Sequence, residues 1–194
     1  MSHSTDASKD AALRAVGRTI VNFQRLEHNL KLAAQLGPVQ GTLQKIQKDI
    51  ARRQERAGSL TLGQAIQAWL TTCEGTESPS VWTPDLFDVS IRMTFSLESD
   101  AESRAAHAKA LRYLLDTRND LIHTRLATFQ WESPEACDTL AMELNAVNTS
   151  ITDQIEYFAN LLNDIAAVHK EHAVSVMAEL KGAPARSTTG ELDA

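Results

Sequence analysis

The sequence predicts an all-α fold: an up-and-down bundle of about five helices with one short β-strand or hairpin inserted near residues 87–97. Three observations predict it. Apolar residues recur every three or four positions along most of the 194 residues. Leu and Ala are plentiful while aromatics make up only 5%, a balance that favours packed helices over a β-sandwich. A single stretch departs from the helical period and alternates instead. Hydrophobic content of 43% and charged content of 23% are ordinary for a globular domain, and the length allows one domain with a substantial core. The expected organisation is a flexible N-terminus at 1–9, a helical domain at 10–181 and a disordered tail at 182–194.

The first helix is expected from about Ala7 to Leu36, with Leu13, Val16, Ile20, Phe23, Leu26, Leu30 and Ala34 on one stripe, and Gly37-Pro38 ending it. A second helix is expected from about Val39 to Arg56, broken by Gly58, and a third from Ser59-Leu60-Thr61 to about Cys73. Glu74 to Pro84 reads as a loop. From Phe87 to Leu97 apolar and polar residues alternate, the pattern of a half-buried strand. A lone strand is unstable, so it needs a partner; Ala127, Phe129 and Trp131 are one candidate and a second subunit is another. A fourth helix is expected from near Asp100 to about Arg125, and after Ser133-Pro134 a long last helix from about Glu135 to Lys181. The spine of that helix, Leu140, Leu144, Val147, Ile151, Ile155, Phe158, Leu162, Ile165 and Val168, is close to heptad-like.

Net charge is −6, which disfavours a general polyanion binder. The charge is uneven: residues 1–60 carry ten Lys/Arg against five Asp/Glu, and residues 61–194 carry nine against twenty. Two cysteines, Cys73 and Cys137, in no motif, point to a reducing compartment. The start has no secretory pattern and no apolar run reaches the roughly 20 residues of a membrane span, so cytoplasm is the expected location.

The chemistry concentrates on the fourth helix. Leu111, Leu114, Leu115, Leu121, Ile122 and Leu126 define its apolar arc, and Arg118 falls inside it. A guanidinium facing a core must be paired. Glu27 is a matching anomaly in the first helix, inside the stripe of Phe23, Leu26 and Leu30, which suggests that Glu27 meets and orients Arg118; a plain buried salt bridge is the alternative. Asn119 and His123, four apart, lie on one side of the helix next to Asp116. Arg can hold a phosphate through a two-pronged contact and His moves protons near neutral pH. These are the parts for cleaving RNA without a metal, the His as acid or base and the Arg stabilising the phosphorane. One His does not readily do both jobs, and a twofold dimer supplies a second.

The string Thr117-Arg118-Asn119-Asp120-Leu121-Ile122-His123 resembles the Arg-x4–6-His signature of HEPN domains, in which a polar residue follows the Arg. The text from Val16 to Glu27 also looks like the opening helix of HEPN-like proteins, where an acidic residue commonly approaches the motif Arg. The resemblance covers roughly residues 10–180. It implies an up-and-down bundle, a homodimer with two motifs facing one cleft, and metal-independent endoribonuclease action that leaves a 2′,3′-cyclic phosphate, with no cofactor, on tRNA or single-stranded RNA. Arg118 and His123 would be catalytic, Asn119, Glu27 and Asp116 supporting. Toxin, stress-response and antiviral-defence roles, with an antitoxin or other defence partner protein, are common for the family. The chain departs from the subtype with Tyr two residues after the motif His; Arg125 stands there instead.

Arg52, Arg53 and Arg56 form a basic turn on the second helix, and with Arg125 are candidates for RNA contact; a solvated face is the plainer reading. His169 and His172 suggest no third metal ligand, so no metal site is expected. Trp69, Trp82 and Trp131 read as core or interface residues. Two rival functions stand beside the ribonuclease: a non-catalytic HEPN-like scaffold or nucleotide/RNA-binding protein working through protein partners, and a helical adaptor in which Arg118 is a core ion pair.

Overall fold

The computed structural model describes residues 2–37, 39–73, 90–93 and 100–182. Among the described residues the chain is all-α apart from one two-stranded ribbon. In order come α1 (Ser2–Ala33), β1 (Val39–Thr42), α2 (Leu43–Gly58), α3 (Leu62–Cys73), β2 (Ser90–Met93), α4 (Ala101–Asp120), a π-helical turn (Leu121–Arg125), a last short turn α5 (Leu126–Thr128) and α6 (Pro134–Gly182). It divides into two units, Met1–Ala159 and Asn160–Ala194. The described part of the second is the end of α6, where Val168 and Val174 are exposed; the rest of this account concerns the first.

Helix starts follow from capping. Thr42 accepts from the Lys45 amide and starts α2. Thr61 and Gln64 cap α3 reciprocally, the Thr61 amide donating to Gln64 Oε1 at 2.8 Å and the Gln64 amide to Thr61 Oγ1 at 3.4 Å. Asp100 starts α4 by accepting from the Ser103 amide (2.8 Å) and hydroxyl (2.7 Å), bonds that hold its carboxyl below the usual carboxylate range. Ser133 accepts from the Ala136 amide at the head of α6.

Three boundaries differ from expectation. α1 begins at Ser2, not near Ala7. Val39–Thr42, expected as the start of the second helix, is a strand, and it is the partner of β2: Val39 pairs with Met93 and Thr42 with Ser90, antiparallel. Residues 127–131 are therefore not the partner, nor is a second subunit needed. Ala127 and Thr128 are helical, because the helix they end continues the π-turn. The expected strand residues 87–89 and 94–97, the loop from Glu74 to Pro84 and the tail from 183 lie outside the described residues. Gly41 sits in β1 at φ 126°, and a Cβ there would meet Lys45 Cδ at 2.8 Å, so only glycine fits where strand becomes helix.

The core joins α1, α3, α4 and α6. Leu26, Leu30, Trp69, Leu111, Leu114, Leu140, Leu144, Ile151 and Phe158 are fully buried. At one end Ala12, Ala15 and Val16 of α1 pack with Cys137, Leu140 and Leu144 of α6 and with Leu121 of the π-turn. Leu13, placed on the buried stripe by its spacing, is 48% exposed; small Ala12 and Ala15 take the contact and let the helices approach closely. Gly63 does the same for α3, since a Cβ there would meet Leu115 at 3.3 Å.

A polar seam crosses this core. Asn148 Nδ2 donates to Thr19 Oγ1 at 2.7 Å and to the Leu144 carbonyl at 2.8 Å, Thr19 donates to the Ala15 carbonyl, and Asn22 donates to Asn148 Oδ1 at 3.0 Å. Asn29 donates to the Ile155 carbonyl. Buried polar groups left unpaired cost about 1–3 kcal/mol each. Asn148→Ala is expected to destabilise by about 2–3 kcal/mol in urea unfolding, and Thr19→Val with Asn148→Leu to cost less than the sum of the single changes.

A second polar group sits among aromatics. Trp69 Nε1 donates to His107 Nε2 at 3.3 Å, and the imidazole packs against Tyr157 and Phe158. Burial pushes the His107 pKa below its ordinary value of 6.5, so the folded state prefers the neutral ring. The resulting stability is full above the unfolded-state value and is lost as pH falls through the lowered folded value. Melting temperature should drop more between pH 7 and 5 for the wild type than for His107→Gln, which keeps an acceptor for Trp69 without titrating; equal drops would contradict this.

Candidate functional site

The helix that carries Arg118, Asn119 and His123 is regular up to Asp120 and then widens. The Leu121 amide still bonds to Thr117 and Arg118 carbonyls, whereas the Leu126 amide reaches back five residues to Leu121. Packing explains the extra residue. Leu121 and Leu126, five apart, both pack on the cluster of Ala12, Val16 and Leu140. An α-helix puts residues three or four apart on one face; a spacing of five reaches the same face through a π-turn, a feature frequent at functional sites. His123 lies within that turn and is exposed.

Arg118 is half-buried and its Nη1 donates to the Oδ1 of half-buried Asn119 at 3.0 Å. Adjacent side chains of this kind fix the guanidinium by one hydrogen bond without neutralising it. The anticipated pairing with Glu27 is not made. Glu27, 28% exposed, binds Lys31 at 2.8 Å on its own helix, and among the described residues no ion pair joins it to Arg118. The physical reason is proximity: a lysine one turn along reaches the carboxylate with no tertiary contact at all.

Asp116 and Arg125 line an open groove of about 560 Å³ beside the motif, together with Tyr113 and Asp120 of the motif helix and Glu143, Val147 and Ser150 of α6. Arg125 is taken by Glu143, Nη2 to Oε2 at 2.6 Å. The groove therefore carries three carboxylates against one paired guanidinium, and neither Arg118 nor Asn119 nor His123 lines it. Tyr113, Asp120 and Glu143 were not singled out by the sequence, because the groove arises from two helices whose relative register the spacing does not give. On α2, Arg52 binds Asp49 at 2.8 Å, Arg56 is exposed, and the Arg53 guanidinium lies over Gly37. Trp69 is core; Trp131 is half-buried against Phe129; Trp82 lies outside the described residues. Among the described residues no group of three or more His, Cys, Asp or Glu is placed to hold a metal ion. No helix among them is long and apolar enough to cross a membrane.

No family model, curated protein or solved structure matches this chain.

Chemically, the motif offers a guanidinium held by Asn119 and in no ion pair among the described residues, with an exposed imidazole on the same helix. Among the described residues no ion pair joins Arg118 to an acid across the core, so Arg118→Ala strands no buried acid among them. It should change unfolding free energy by less than about 1 kcal/mol, a small effect checked by urea titration; a loss of several kcal/mol would show that the guanidinium is a structural prop.

Proposed function

We propose that the chain is a metal-independent endoribonuclease of HEPN type, working as a homodimer in the toxin, stress-response or defence setting that the motif's resemblance implies. The observation that supports it is the π-turn at Leu121–Arg125, which presents His123 to solvent on the same helix as an Arg118 fixed by Asn119. In the reaction the 2′-hydroxyl loses its proton to one His123 as its oxygen attacks phosphorus. The P–O5′ bond breaks, and the leaving oxygen takes a proton from the His123 of the second copy. Arg118 stabilises the charge that grows on the phosphorane. The products are a 2′,3′-cyclic phosphate and a 5′-hydroxyl.

A second reading, a non-catalytic scaffold acting through a protein partner, is favoured by one feature: the groove next to the motif bears Asp116, Asp120 and Glu143, which repel a polyanion. An RNase assay on the purified oligomer separates the two. The nuclease predicts cleavage that persists in EDTA, yields cyclic-phosphate ends and falls about 10²–10⁴-fold in His123→Ala. Absence of cleavage, or cleavage untouched by that substitution, favours the scaffold.

A further inference from the structure

In a chain of net charge −6, α2 carries an outward row of cations. Lys45, Lys48, Arg52 and Arg56 follow one another at intervals of three, four and four, so they share one stripe of the helix. All four are exposed, and the row runs about 16 Å at 1.5 Å per residue. Ile46 and Ala57, about a third of a turn round α2 from this row at roughly 100° per residue, are buried, so the helix is seated along that side and leaves the cationic row in solvent. Asp49 occupies Arg52 at 2.8 Å, but that arginine is 78% exposed, and such pairs are worth at most about 1 kcal/mol. A phosphate can displace the carboxylate.

We propose that this row is the RNA-binding face of the protein: a track that holds the phosphate backbone of single-stranded RNA through Lys45, Lys48, Arg52 and Arg56, without reading bases. The inference rests on RNA being the substrate of the motif. It also answers the difficulty posed by the acidic groove, because the polyanion is then held by a different element. An anionic lipid surface fits less well. A helix lying on a membrane turns its apolar side into the lipid with its cations flanking, whereas here Ile46 and Ala57 face the protein.

The test uses the full chain with His123→Ala, so that RNA stays intact, and a short labelled single-stranded RNA titrated over a range of salt concentrations. Each cation–phosphate contact contributes about 0.7 to the slope of log K against log salt. Combining Lys48→Gln, Arg52→Gln and Arg56→Gln should flatten that slope by about 2 and weaken binding at least about tenfold at low salt. Gln keeps good helix propensity, and unchanged helical content confirms the fold. An unchanged slope with RNA still bound would overturn the track, as would stronger binding to phosphatidylserine vesicles than to RNA. If RNA is bound with the expected slope change but the wild type cuts nothing, the track stands and the nuclease reading fails. If the wild type cuts and the slope is unaltered, the track alone fails.

Discussion

The hydrogen bond from Asn148 to Thr19 sets the register between α1 and α6. Apolar side chains can slide by a turn and still exclude water, but a buried amide and a buried hydroxyl satisfy each other in one alignment only. Asn22 and Asn29 repeat the constraint along the same seam. With these helices fixed, Ala12, Val16, Leu140 and Leu144 form a defined surface, and the end of the motif helix must fit it.

That fit produces the feature on which the functional reading turns. Leu121 and Leu126 both reach the α1–α6 surface, and a five-residue interval cannot do so on an unbroken α-helix. The helix admits one extra residue in that turn, and His123 and Thr124, between the two leucines, face solvent. Thus the packing of two leucines, not any direct contact of the imidazole, decides where the histidine points. The guanidinium of Arg118 sits just before the widening, where the geometry is still regular, and depends on its neighbour Asn119.

Much of this was legible in the residues. The three- and four-residue spacing located the helices, and the alternation of apolar and polar residues located the strand. What stayed hidden has physical causes. Val39-Gln-Gly-Thr is too short to show a period and runs straight into a helix, so it read as part of one. Ala12 and Ala15 are buried because they are small, while the larger Leu13 is outside; spacing alone ranks them the other way. The π-turn was hidden because Ile122 and Leu126, four apart, continue an ordinary helical arc, so nothing in the spacing required a wider turn. Thr19 and Asn148 are polar residues on apolar stripes, an anomaly of the same kind as Glu27 and Arg118. The two anomalies resolved differently, since Thr19 and Asn148 found each other across the core whereas Glu27 was met by Lys31 four residues along its own helix.

Thr42 belongs to two elements at once. It closes the ribbon opposite Ser90 and its hydroxyl starts α2, with Gly41 making the bend between them. No slack separates strand from helix. Any force that unzips β1 from β2 would also strip the cap from α2, so the orientation of the cationic helix is mechanically geared to a ribbon four residues long.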